Sequence, residues 1–244
     1  MKQTTAASPG TYARIAGLLY LIVIIAGAFA QLSVRDRVMV SGDAASTARN
    51  ILAHEQLFRW GFAAEVMEGL CVIPLIVLLY ELFKVVNRQV ALLAVFFSLL
   101  AAAIQAVALL GHFAPLIFLK RGPGLGVSPE LLQALSYMAL QLQAIGYAVA
   151  LAFFGCTMLT RGYLILRAAF IPRVIGVLLA IEGVCYLANS FADFLAPKIA
   201  GSVFALLMVA GLAEVVFCLW LLVMGVNDLR WQEQASLAEV PLGA

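Results

Sequence analysis

The chain has 244 residues, of which 64% are hydrophobic and only 11% charged, and its formal net charge is +2. Its mean hydropathy is +1.04, whereas soluble domains run at about 45–50% apolar and about 25% charged, so a water-solvated globule is excluded. The basic residues stand singly among the loops, without the stripe that tracks phosphates, which argues against a nucleic-acid partner and leaves the lipid bilayer as the expected surroundings.

Apolar runs fall at 14–34, 58–83, 90–118, 131–159, 171–193 and 202–226. Each supplies the roughly 20 residues that a helix needs to cross a bilayer. Uninterrupted runs are not the alternating segments of a barrel, so the expected fold class is all-α, a polytopic transmembrane helical bundle of six spans. The expected organisation is a cytoplasmic N-terminal segment over 1–13, a six-helix transmembrane domain over 14–226 and a cytoplasmic C-terminal tail over 227–244, frayed from Gln232 onward. The first run contains Ala28-Phe29-Ala30, which has the look of a signal-peptidase site; cleavage there would leave five spans. Pro74 and Pro115 lie inside the second and third runs and predict local kinks. Between runs three and four, Gly122-Pro123-Gly124-Leu125-Gly126 is a turn region that ends in a helix start, with Ser128 as cap and Pro129 at the first position. No strand precedes its glycines, so they are not a nucleotide-binding turn.

Orientation follows from the connection that carries Arg161, Arg167 and Arg173 with no acid, which the positive-inside rule places in the cytoplasm. Alternation then puts both termini inside, in a cell membrane crossed several times, and places the 35–57 and Lys120/Arg121 loops outside. The Lys and Arg count is nearly even, eight inside and seven outside.

Ionisable residues inside apolar runs carry the functional signal. Glu65 and Glu68 lie in the second run, Glu182 in the fifth and Glu214 in the sixth, with Gln141 and Gln143 at similar depth in the fourth. Counting ~1.5 Å per residue places this layer near the bilayer midplane. No Lys or Arg falls in that layer, and an ionised carboxyl there costs about 2.5–3.5 kcal/mol even on the lenient insertion scale. Such groups must hold a proton, sit in a hydrated cavity or pair with a bound cation. The six residues are therefore the expected proton- or cation-binding set, and hydrogen-bonding glue between helices is the structural alternative.

No catalytic constellation appears. HExxH and GxSxG are absent, and the cysteines Cys71, Cys156, Cys185 and Cys218 lie in apolar runs without metal or redox spacing, so no catalytic residue, metal site or cofactor is expected. His54 reads as a loop histidine and His112 as an interfacial one, and Trp60, Tyr163, Trp220 and Trp231 as interfacial anchors.

Several short motifs together carry a family likeness over roughly residues 12–226. They are Leu19-Tyr20-Leu21-Ile22; Gly42-Asp43-Ala44-Ala45 with Thr47 and Asn50; Leu57-Phe58-Arg59 with Gly61-Phe62; Leu79-Tyr80-Glu81-Leu82 with Val86-Asn87; Gly162-Tyr163-Leu164-Ile165; Pro172-Arg173 with Gly176-Val177-Leu178; Tyr186-Leu187; and Leu219-Trp220-Leu221-Leu222. On these the chain resembles a bacterial family of six-span membrane proteins that bears only a domain-of-unknown-function label. The resemblance implies that the first span is retained, and it implies no activity. This chain has Ala168-Ala169-Phe170 where the family pattern has a serine before Pro172-Arg173.

A faint repeat relates Arg14-Ile15-Ala16-Gly17-Leu18-Leu19 to Arg173-Val174-Ile175-Gly176-Val177-Leu178, and Ala64-Glu65-Val66 to Ala213-Glu214-Val215. Transporters build sites between such duplicated halves. The leading expectation is thus a small transporter or proton- or cation-coupled carrier, followed by a non-catalytic membrane protein that modulates a partner or the bilayer, with an embedded enzyme last. A homodimer is compatible with so small a bundle, although no GxxxG face argues for one.

Overall fold

The computed structural model describes residues 8–196 and 210–238. Every regular element among them is helical, because in lipid a helix satisfies its own backbone. Five helices are long and apolar enough to cross a membrane: α1 (Pro9–Val38), α3 (Glu55–Phe83), α4 (Arg88–Arg121), α5 (Pro129–Arg167) and α6 (Arg173–Leu195). Between the first two lies a short helix, α2 (Ala44–Ala53). The sixth run is represented by α7 (Leu212–Met224), and its first part, 202–209, lies outside the described residues. A last helix, α8 (Asp228–Ala238), follows after a bend of 103°. The protein is a multi-pass helical membrane bundle.

The helices outrun the apolar stretches. α1 continues past residue 34 as a π-helical stretch, Phe29–Arg35, and then to Val38. α5 continues to Arg167, so the expected cytoplasmic loop 161–173 is helical over its first half and Arg161 is a buried helix residue. Hydropathy marks where lipid begins, whereas the helix continues for as long as its polar end finds partners. Both α3 and α4 continue through Pro74 and Pro115.

The chain divides into two compact units. One comprises 22–70 and 102–150. Its core packs Val34 and Val38 of α1, Ile51 of α2, Phe58 of α3, Leu116 of α4 and Leu140 of α5. The expected 35–57 loop is mostly helix: the Asp43 carboxylate caps α2 by accepting from the Ser46 amide at 2.8 Å and its hydroxyl at 2.6 Å. The Tyr137 hydroxyl accepts from the Gly42 amide at 2.9 Å and fastens the turn before α2 to α5.

The other unit comprises 1–21, 71–101 and 151–244, of which the described part is discussed. Its α5–α6 pair meets through glycines seven residues apart on each helix. A Cβ on Gly183 would come within 2.7 Å of the Gly155 carbonyl oxygen, and one on Gly176 within 2.8 Å of the Gly162 carbonyl oxygen. Apolar burial gives little drive between helices in lipid, so this close backbone approach supplies the packing. Gly225, at φ +66°, makes the bend into α8. α8 is docked rather than frayed. Its Asp228 carboxylate accepts from the Gly10 amide at 2.7 Å, Trp231 Nε1 donates to the Leu82 carbonyl at 2.9 Å, and Gln234 bridges the Arg167 carbonyl and the Ala169 amide.

Two outcomes follow. Gly183→Leu lowers stability in a thermal-unfolding assay by about 1–3 kcal/mol through overpacking, whereas Gly69→Ala, with no neighbour within 4 Å of an added Cβ, raises it by about 0.5–1 kcal/mol through helix propensity. The Ser46 hydrogen bonds hold the Asp43 carboxyl below its usual value of 3.8. Its capping contribution is therefore complete above that value and lost as pH falls through the lowered one. The protection factor of the Ser46 amide, its exchange relative to the intrinsic rate at each pH, holds from neutral pH downward and falls only as the cap protonates; in Asp43→Ala it is low throughout.

Candidate functional site

In the unit formed by 22–70 and 102–150, Glu65 of α3 is a hub. It is only 5% exposed. One carboxylate oxygen accepts from the Arg35 guanidinium of α1 and, at 3.3 Å, from Gln143 Nε2 of α5. The other lies 2.6 Å from Nδ1 of His112 of α4, whose side chain is 1% exposed. The opposite ring nitrogen, Nε2, is 3.2 Å from the Phe58 carbonyl oxygen, and Phe58 and Phe62 flank the ring at centroid separations of 4.4 and 5.9 Å. Four helices thus meet at one carboxyl.

The expectation of a carboxyl layer without countercharge is corrected for Glu65. Arg35 lies one residue beyond the first apolar run, and the π stretch brings it back to Glu65. The wide register of that stretch also pairs Gln31 with Asp36 five residues on: Gln31 Nε2 donates to Asp36 at 2.9 Å, while Arg35 donates to Gln31 Oε1 at 2.7 Å. Interruptions of this kind recur at functional sites. His112 is likewise corrected, from an interfacial histidine to a buried member of the cluster.

A carbonyl oxygen only accepts, so the contact to Phe58 requires a hydrogen on Nε2. Nδ1 and the second Glu65 oxygen approach to 2.6 Å without a hydrogen bond of regular geometry. The contact thus sets two protonatable groups side by side in a buried cluster that already holds the Arg35 charge.

Glu68, one turn further along α3, is half-buried and accepts from Gln105 Nε2 at 3.0 Å. Gln141 is exposed and belongs to neither cluster.

Glu182 and Glu214 fall in the other unit. Glu182 is fully buried, and neither carboxyl oxygen has a hydrogen bond of regular geometry among the described residues. It faces Tyr186 and Glu214, and the charge of Arg161 reaches both acids. Glu214 also faces the Tyr20 hydroxyl. Arg161, 6% exposed, donates to the Ser98 hydroxyl at 3.3 Å and borders a cavity of about 10 Å³, room for one water, together with Tyr80 and Ser98. The six expected residues are therefore divided: Glu65 and Gln143 in one cluster with Glu68 beside it, Glu182 and Glu214 in another, and Gln141 outside both. Among the described residues no three His, Cys, Asp or Glu side chains converge as metal ligands.

The profile of a protein family described as a domain of unknown function, DUF4386, matches residues 15–225. The chain belongs to this family. No curated protein and no solved structure matches it. Family membership thus covers both clusters and assigns chemistry to neither.

Glu65→Ala strands Arg35 and His112 without their acceptor, and is expected to cost about 3–5 kcal/mol, as when one partner of a buried pair is removed. Glu65→Gln keeps an acceptor for Arg35 and a donor for Nδ1 and costs distinctly less. Thermal unfolding of purified variants checks the order, and equal losses would show that only side-chain volume matters at this position.

Proposed function

We propose that this protein is a small proton-coupled carrier of the cell membrane, with both termini cytoplasmic, and that its protonatable groups are Glu65 with His112 in one cluster and Glu182 with Glu214 in the other. The observation that carries the reading is the buried Glu65–His112 contact, which sets two protonatable groups 2.6 Å apart away from solvent. Proteins seldom keep ionisable groups in this setting unless they work there. Of the two ions open to these acids, the proton is favoured over a metal cation, because Arg35 already occupies Glu65 and the Arg161 charge acts on Glu182 and Glu214. Glu68, with its Gln105 partner, lies one turn from the first cluster and serves as a secondary group. Cytoplasmic termini are supported by Arg167 and Arg173 around the α5–α6 connection, with Lys84 and Arg88 around the α3–α4 one.

The test is proton flux into proteoliposomes under an imposed gradient, followed with a pH-sensitive dye. Wild-type protein dissipates the gradient. Glu65→Gln and Glu182→Gln, each as heat-stable as a carrier needs to be, lower the rate by about tenfold or more, a barrier change of ~1.4 kcal/mol. Absence of flux under every gradient, with folded protein, would leave the buried carboxyls as hydrogen-bonding groups between helices and the chain as a non-catalytic membrane protein.

A further inference from the structure

Resting on the carrier reading, we infer that the substrate is an uncharged, mainly apolar molecule, and that it enters sideways from the bilayer into a cavity between α4 and α5. The cavity measures about 610 Å³ and lies within the unit formed by 22–70 and 102–150. That is the size of a small-molecule site, for which ~300–1,000 Å³ is usual.

The cavity forms where α4 and α5 cross at small residues. A Cβ on Gly146 would come within 2.7 Å of the Ala108 Cβ, and one on Gly111 within 2.7 Å of the Ala139 carbonyl oxygen. Beside this close approach, Val107 and Leu110 of α4 and Leu142 and Ile145 of α5 border the hollow at 68, 70, 67 and 56% exposure. Apolar side chains so exposed on membrane-crossing helices face lipid, and the mouth of the cavity therefore opens on the bilayer. Along α4 the lining runs from Ala103 to Gly111, about 12 Å of helix. It stops seven residues (118 − 111), or about 10 Å, short of the nearer end of the apolar run. The hollow thus lies in the hydrocarbon core, away from both headgroup layers.

Gln143 is the one polar side chain in the lining, and the rest is aliphatic or glycine. A charged ligand would carry its charge into hydrocarbon and find no opposite charge in the wall, which restricts the occupant to uncharged molecules. Gln143 also joins the cavity to the first cluster. It is 3% exposed, borders the hollow, and donates from Nε2 to Glu65 at 3.3 Å. A bound molecule therefore lies one side chain away from the protonatable pair. Two other occupants fit the shape poorly. A second copy docked on this face about a two-fold axis would set hollow against hollow and leave both unfilled. A phospholipid keeps its headgroup at the interface, about 10 Å of helix beyond Gly111, and so inserts only the end of a tail.

The experiment is photolabelling of the full-length chain in phosphatidylcholine nanodiscs with a diazirine-bearing dodecanol, an uncharged stand-in, with the labelled residues read by mass spectrometry. A parallel arm places the diazirine in the acyl chain of the phosphatidylcholine itself. The alcohol is expected to label 103–111 and 142–146 saturably, and plain dodecanol to compete. Ala103→Trp and Val107→Trp put an indole into the hollow from exposed positions outside the helix crossing. Each is expected to weaken the apparent affinity about tenfold or more while remaining as heat-stable as the wild type. Labelling that does not saturate, or that persists at full affinity in both variants, overturns the site. Equal labelling by the phospholipid, without competition from dodecanol, assigns the hollow to bulk lipid and overturns it too, as does loss of labelling when two chains share a disc, which assigns it to a second copy. Saturable labelling without proton flux under any gradient would sink the carrier reading and leave the binding site standing. Proton flux that neither Ala103→Trp nor Val107→Trp alters would do the reverse.

Discussion

A charge taken out of water must be answered within hydrogen-bonding distance, and in a bilayer that requirement shapes everything around Glu65. The carboxyl is answered from three sides, by Arg35, His112 and Gln143, each on a different helix. The arrangement of α1, α3, α4 and α5 in this unit follows from it. The π stretch of α1 returns Arg35 to the acid, and the Phe58 carbonyl orients the His112 ring. The rings of Phe58 and Phe62 keep the contact dry. Because lipid offers helices no hydrophobic drive to associate, polar contacts of this sort have a larger share in specifying the fold than they would in water.

The unit containing α6 to α8 meets the same constraint differently. Its helices are drawn together by backbone approach at Gly155, Gly162, Gly176 and Gly183, and α8 is tied back by the Trp231 and Asp228 hydrogen bonds. Its two acids lean on tyrosine hydroxyls and the charge of Arg161 instead of a direct ion pair. Packing through glycine therefore leaves Glu182 sealed without a regular hydrogen bond among the described residues. A fully buried acid set beside a second one is well suited to binding a proton, which is why Glu182 stands beside Glu65 in the functional reading.

The helical class and the first five spans were legible in the sequence because a bilayer makes apolar run length decisive: the five helices long enough to cross contain the first five runs almost entirely. Helix ends were less legible, since α1 and α5 extend into polar sequence that hydropathy assigns to loops. The acids were found by their cost in an apolar run. Their partners were not, for separate reasons. Arg35 sits one residue past its run and reaches Glu65 only through a π register that no residue pattern announces. His112 carried a legible signal, a lone imidazole deep in an apolar helix, but its partner lies 47 positions away in sequence (112 − 65) on another helix. The heptad spacing of glycines on α5 and α6 was readable and stands outside the GxxxG pattern by which such interfaces are usually sought.

The central claim is that the Glu65–His112 contact binds a proton while Nε2 remains bonded to Phe58. Nitrogen-15 NMR of histidine-labelled protein in nanodiscs at neutral pH, with His54→Gln to leave a single histidine, reads this directly. The account expects Nε2 to be protonated and Nδ1 to show a shared or fully transferred proton, with that Nδ1 signature moving toward an ordinary hydrogen-bond acceptor in Glu65→Gln. An Nε2 without a proton, or an Nδ1 with the shift of a lone pair that takes part in no hydrogen bond, would contradict it.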